Sequence, residues 1–208
     1  MTMDLGVSSL SLHHLRLPLR QPWRTAYGVE HWVETLLIRI TDGQRAVWVE
    51  SCPLARPLYL PEWAAGAGLL ASQVLGPLVL RQAPGTPEAV APLLAGIRGN
   101  EFAKAAIEFA YWGLAAAQAG LPLRERLLAS PLLTDCPPAP PGPADLPPAV
   151  VPFGEGLGRD DDLLRLLASV ERLVAAGCRR LKLKIAPDYD LAPLRAVRQA
   201  FPHLPLRV

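Results

Sequence analysis

The seven residues RRLKLKI, 179–185, hold two of the three lysines in a chain of 208 residues whose other basic residues are all arginine. Leu181, Leu183 and Ile185 alternate with Lys182 and Lys184, the period of a β-strand that shows aliphatic side chains to one face and amines to the other. On an antiparallel sheet this pattern describes a half-exposed strand with solvated lysines. The flanking sequence points elsewhere. Upstream, Asp160-Asp161-Asp162 gives an acidic start that suits the positive end of a helix, and Leu163, Leu166, Leu167, Val170, Leu173 and Val174 keep helical spacing as far as Gly177. Before that helix stand a short apolar run, Ala149 to Phe153, and a glycine-rich turn, GEGLG. Downstream come a helix from Leu191 to about Phe201 and a further strand beginning in LPLRV, 204–208. Strand, helix, strand, helix, strand predicts parallel pairing.

Parallel strands flanked by helices are normally covered on both faces, so two ammonium groups there lack partners unless they line a cavity. A barrel resolves the conflict. The leucines pack outward on helices while the lysines point inward near the carboxyl end of the strand, where barrel active sites lie. Neighbouring ammonium groups repel, which favours loss of a proton from one of them and makes a base available near neutral pH. Arginine cannot serve that purpose, because its guanidinium is effectively never deprotonated.

The N-terminal part has a different grammar. SLSLHHLRLPL, WVETLLIRI and QRAVWVES read as strands, the last two separated by the hairpin signal Thr41-Asp42-Gly43, and together they predict an antiparallel meander. Helices follow: one opening at Pro61-Glu62 and running to about residue 79, one capped by Thr86 with Pro87 at its first position, and a longer one capped by Asn100 and stopped at Gly120. Residues 1–130 therefore form an α+β domain. Residues 131–148 are rich in proline, which removes backbone donors and clashes with a preceding helical turn, and predict a linker. Residues 149–208 begin the parallel β/α domain.

Composition narrows the function. Half of the chain is hydrophobic, enough for a sizeable core, and a net charge of +2 without long runs of either sign gives no footprint for nucleic acid or an anionic membrane surface. Cys52, Cys136 and Cys178 form no metal-binding pair and read as free thiols of a reducing compartment. The N-terminus lacks a basic start followed by an apolar core, and apolar stretches elsewhere are broken before membrane-spanning length, so a cytoplasmic location is expected. GEGLG is too short and wrongly spaced for a phosphate-cradling loop.

An antiparallel cap domain, a connection, and a barrel whose second strand carries Lys-x-Lys resemble the enolase superfamily, in its muconate-lactonizing branch. Within it, QPWRTAYG, RPLYLPEW, GNEFAKAAIEFAYWGLAAAQAGLPLRERLLA and GCRRLKLKIAPDYDLAPLRAVRQAFPHLPLRV are most similar to the o-succinylbenzoate synthases and N-acylamino acid racemases. The resemblance implies that Lys184 removes or returns a proton α to a carboxylate, with Lys182 tuning it and touching the substrate, while Mg²⁺ stabilises the enediolate. In the synthases, which serve menaquinone biosynthesis, loss of hydroxide follows; in the racemases the proton returns to the opposite face. The resemblance also implies substrate contacts from Trp23, Arg24 and Tyr27, and from Leu58 and Tyr59, although an ordinary loop or packing role explains each residue type as well. His13 and His14 read as strand residues, and Glu50 either matches the Glu ending the third cap strand of the family or makes a structural salt bridge.

Three departures stand out. Gly156 occupies the first-strand position where these enzymes often carry Ser, with Glu155 beside it. Gly113 replaces an Asp common in the cap helix, a change expected to affect packing. The family's metal ligands and second catalytic lysine are expected beyond Val208, so the fold expected is a cap domain with the first β/α units of a (β/α)₈ barrel, which needs roughly 250 residues in all. The 208 residues alone are accordingly expected neither to hold Mg²⁺ tightly nor to turn over. The partner expected is a small carboxylate substrate, with a homo-oligomer open. A dipeptide epimerase or a muconate cycloisomerase is an alternative within the same chemistry. A noncatalytic fragment or assembly module is the alternative outside it.

Overall fold

The computed structural model describes residues 4–133 and 151–208. The chain divides into two compact units, Met1–Pro18 with Trp32–Pro137, and Leu19–His31 with Pro138–Val208. The far end of the first hairpin thus belongs with the C-terminal strands.

The first sheet has the order β1 (Ser9–Thr25), β2 (Gly28–Thr41), β3 (Ala46–Ser51). β2 and β3 are antiparallel, with Ile38 opposite Val49 and Thr41 opposite Ala46. The turn forms where Asp42 accepts the N–H groups of Gln44 (2.8 Å) and Arg45 (2.6 Å) on one carboxylate oxygen, the local bonding that makes Asp a turn former. Those bonds and the Gln118 amide hold the Asp42 carboxyl down at about 2.

Alternation in β2 buries Leu36, Ile38 and Ile40. Against them packs a helical layer: α1 (Ala64–Leu70), a π-helical turn (Ala71–Leu75), α2 (Gly76–Gln82), α3 (Val90–Leu94) and α4 (Glu101–Ala119), with α5 (Leu123–Leu128) packed on α4. Together Ala64–Gln82 is long and apolar enough, by length and composition, to cross a membrane, longer than the sequence reading allowed. One side of it, with Ala67, Ala71, Leu75 and Val79, joins the buried core. The π turn has a local cause. Pro77 lacks an N–H to donate, and the Gly76 N–H reaches back to the Ala71 carbonyl, with only 2.9 Å between that oxygen and a Cβ built on Gly76.

The α4 boundaries correct one detail of the sequence reading. The Asn100 side chain makes no cap; its backbone is left-handed (φ 61°) and its amide donates to the Arg98 carbonyl. The Glu62 carboxylate, read as part of a helix start, instead accepts from the N–H groups of Glu101 (2.8 Å) and Phe102 (3.0 Å), bringing an anion to the positive end of α4. Nor does Pro61-Glu62 open α1, which starts at Ala64. Thr86 likewise gives no side-chain cap; Pro87 starts a short 3₁₀ turn. At the far end of α4, Gly120 is left-handed and the Leu121 N–H bonds the Ala116 carbonyl at 3.0 Å, which satisfies the last carbonyls. Gly113 sits where α4 meets β3, and a Cβ there would lie 2.8 Å from Val47 Cγ1; its role is close packing, as the departure from Asp suggests.

In the second unit, β4 (Gly154–Leu157), α6 (Leu163–Ala175), β5 (Arg180–Leu183), α7 (Leu191–Ala200) and β6 (Leu206–Arg207) form a parallel sheet of order β4-β5-β6. β5 pairs with β4 and with β6. The first strand is not the Ala149–Phe153 run, whose residues 149 and 150 lie outside the described ones. It is the GEGL segment, which reads as a turn because glycine is depleted in strands. The glycines are there for room: a Cβ on Gly154 would stand 2.9 Å from the Arg180 carbonyl oxygen. Of the proposed proline-rich linker, Pro131–Leu133 form a 3₁₀ turn, and residues 134–148 lie outside the described residues, as does Cys136. Leu166 and Val170 of α6, Leu181 and Leu183 of β5, and Val197 of α7 make the buried core.

Candidate functional site

β5 carries the lysines as its alternation dictates. Leu181 and Leu183 are buried beneath α6 and α7, while Lys182 is exposed and Lys184 half-buried, both on the opposite face. Lys184 lies one residue past the strand as assigned, yet its N–H continues the ladder by donating to the Leu157 carbonyl at 2.9 Å. Two residues along a strand, the amine stems stand about 7 Å apart. The register sets Lys182 between Gly156 on β4 and Arg207 on β6, so no side chain competes with it from the β4 side.

Gly156 and Glu155 part company here. Glu155 pairs with Leu181, on the face away from the lysines, and accepts the Gly156 N–H at 3.0 Å; it is no neighbour of the amines. At Gly156 a built Cβ would come 3.5 Å from Trp23 Cη2, an ordinary contact, so the Trp23 ring edge borders the position beside Lys182. Arg24 follows Trp23 at the end of β1. Its carbonyl accepts the Arg159 N–H at 3.0 Å, and its guanidinium donates to Asp161 Oδ2 at 2.7 Å. Gly158 allows that close approach, because its Cβ would lie 3.2 Å from both the backbone N and O of Arg24. Tyr27 falls in the turn between β1 and β2. Leu58 and Tyr59 lie exposed on the loop between β3 and α1 in the first unit.

The three aspartates read only as a helix start each have a separate contact. Asp162 caps α6 by accepting from the Leu164 (2.9 Å) and Arg165 (3.3 Å) N–H groups. Asp161 takes Arg24. Asp160 accepts from Arg165 at 2.7 Å, and its own N–H donates to the Tyr189 hydroxyl at 2.9 Å. Burial pushes the Asp160 carboxyl up, but the Asp162 N–H and the Arg165 guanidinium outweigh it and hold it below the usual carboxylate range. Asp161, Arg159 and Tyr189 were missed as site-shaping residues, and only the charge pairing of a DDD run with a distant arginine offered a signal.

The remaining candidates resolve as strand residues. His14 Nε2 meets Glu34 at 2.9 Å, and the His13 ring lies tilted by 44° against Trp48 with ring centroids 5.2 Å apart. Glu50 accepts the Thr35 hydroxyl at 2.7 Å. Cys52 is exposed and Cys178 buried, both free. Among the described residues no three His, Cys, Asp or Glu side chains come together as a group that could hold a metal ion. The Mg²⁺ that the resemblance implies does not fit these residues.

Known proteins fit this geometry. No protein-family model matches the chain. Over 98% of its length it is 31% identical to an o-succinylbenzoate synthase of Geobacillus stearothermophilus, covering 50% of that protein. It is 34% identical over 97% of its length to an N-succinylamino acid racemase of Thermus thermophilus, again covering 50% of the relative. A crystal structure of an enolase-superfamily member from Enterococcus faecalis superposes with a TM-score of 0.76 at 32% identity, covering 98% of this chain and 51% of the other. By sequence and by fold, the chain is homologous to the N-terminal part of enolase-superfamily proteins. Its relatives there are o-succinylbenzoate synthases and N-succinylamino acid racemases, and it spans about half of their length.

Proposed function

We propose that this chain carries the proton-transfer strand of an o-succinylbenzoate synthase-like enzyme of menaquinone biosynthesis, working in the cytoplasm on a small carboxylate. The observation that carries the reading is the pair Lys182 and Lys184 on the face of a parallel β5 opposite its buried leucines. Lys184 Nζ takes the proton α to the substrate carboxylate. Lys182, beside the side-chain-free Gly156, offers its ammonium to the negative charge that develops on that carboxylate as the C–H bond breaks. Elimination follows when the C–O bond to the neighbouring hydroxyl breaks and hydroxide leaves. Trp23 borders the space beside Lys182, and Arg24, held by Asp161, is the next residue along β1. Magnesium, which enolase-superfamily sites use to stabilise the enediolate, belongs to the proposed function of the complete enzyme. Residues 1–208 by themselves are proposed not to turn over.

A second reading, racemisation of an N-acylamino acid, is favoured by the 34% identity to a racemase. It differs in returning a proton to the opposite face of the same carbon. Incubation of the complete enzyme with each substrate in D₂O, followed by NMR, separates them. Deuterium at the α-carbon of an N-succinylamino acid without dehydration of the synthase substrate selects the racemase. Lys184→Ala is expected to lower α-proton exchange by about 100-fold or more in either case. Unchanged exchange in that variant would remove Lys184 from the mechanism.

A further inference from the structure

Lys184 stands where β5 gives out. The pairing of β4 with β5 runs from Gly154 opposite Arg180 to Leu157 opposite Leu183, and the Lys184 N–H closes it on the Leu157 carbonyl at 2.9 Å. Past Ile185 the chain turns back. The Ala186 N–H donates to the Tyr189 carbonyl at 3.1 Å and the Tyr189 N–H to the Ala186 carbonyl at 2.9 Å, with Pro187 and Asp188 between them. Proline presets the φ of the first central position, but Asp188 is left-handed at φ 65°, a conformation that costs an L side chain free energy and persists where its surroundings hold it.

Tyr189 supplies a holding contact. Its hydroxyl accepts the Asp160 N–H at 2.9 Å, three residues past Leu157. The loops that leave the carboxyl ends of β4 and β5 are thus joined at two points, Leu157 to Lys184 and Asp160 to Tyr189, and residues 184–189 span the distance between them. The next residue, Asp190, caps α7 by accepting the Leu191 N–H at 2.6 Å, so the turn is followed at once by a fixed helix start.

We propose that Tyr189 is a positioning residue for the proton transfer: by tying the loop after β5 to the loop after β4, its hydroxyl fixes the backbone from which the Lys184 amine reaches the substrate. The proposal rests on Lys184 being the base. A base must come within about 3 Å of the atom that gives up the proton, and a misplacement of about 1 Å can cost a hundredfold in rate. The four-carbon stem of lysine is flexible, so that precision has to begin at its backbone.

Tyr189→Phe in the complete enzyme keeps the ring and removes the hydroxyl. The expected result is a fall of about tenfold in kcat for α-proton exchange in D₂O with KM unchanged, and hydrogen exchange about tenfold faster at the backbone amides of residues 184–190. Asp162→Ala, which removes the cap of α6, is the stability control: it is expected to lower the urea midpoint comparably and to leave kcat as in the parent. A bond that served the fold alone would lower the midpoint without changing kcat in the absence of urea. A kcat no lower than that of Asp162→Ala, or a raised KM with kcat held, as loss of a substrate contact gives, would each overturn the proposal. Amide exchange is read without turnover, so the tie and the reaction fail separately. Unaltered amide exchange at 184–190 in Tyr189→Phe removes the tie, whereas unaltered α-proton exchange in Lys184→Ala removes the base on which the proposal rests.

Discussion

The two sheets of this protein solve the same packing problem with opposite consequences. In β2, Leu36, Ile38 and Ile40 are buried beneath the helices, and the outward positions include Leu37 and Arg39. In β5, Leu181 and Leu183 do the same work, and the other face carries Lys182, with Lys184 one residue past the strand. Among the described residues, the sheet of the first unit belongs to a core of 18 buried residues, whereas that of the second has 5. The strand that carries the two amines thus sits on the smaller hydrophobic core, and local opening is expected to be easier there.

Truncating equivalent leucines breaks or sharpens that comparison most strongly. Leu36→Ala and Leu181→Ala are each expected to cost about 2–5 kcal/mol. Hydrogen exchange read residue by residue should show Leu181→Ala deprotecting α6, β5 and α7 while β2 and α4 keep their protection. Uniform loss across both units would mean that the two cores unfold as one. A smaller effect is expected at the α4–β3 contact. Gly113→Asp must push Val47 aside and place a carboxylate in an apolar interface, at a cost of about 1–3 kcal/mol, measurable by urea unfolding followed through α4.

The smallest effect is confined to a pH window. The Asp42 carboxyl is held down at about 2 against an ordinary 3.8. A depressed carboxylate stabilises the folded state above the unfolded value and loses that contribution as pH falls through the folded one. The stability gap between the parent and Asp42→Asn is therefore expected to be full above pH 3.8 and to close towards about pH 2. A gap independent of pH over that range would show that the turn depends on side-chain shape alone.

Much of this architecture was legible residue by residue. The Asp42 turn, the Gly120 and Gly177 helix stops and the α6 start at Asp160–Asp162 all follow from bonds between near neighbours. The cap assigned to Asn100 failed for a nonlocal reason: a carboxylate 39 positions before Glu101, that of Glu62, occupies the N-terminus of α4. GEGL failed as a turn because its strand conformation is imposed by β5. Of the candidate site, the lysine pair and the likeness to enolase-superfamily enzymes were readable from the chain, whereas the partners of Arg24 were not.

The amino-acid order alone determined which side chains of 179–185 share a face, because a strand's period is two whatever surrounds it. Folding in three dimensions decided that Gly156 stands beside Lys182, that Arg24 meets Asp161 across 137 positions, and that the Tyr189 hydroxyl meets the Asp160 N–H across 29. The pairing of strands far apart in the chain and the meeting of distant charges are settled by the packing of whole elements, which a local pattern constrains but does not specify.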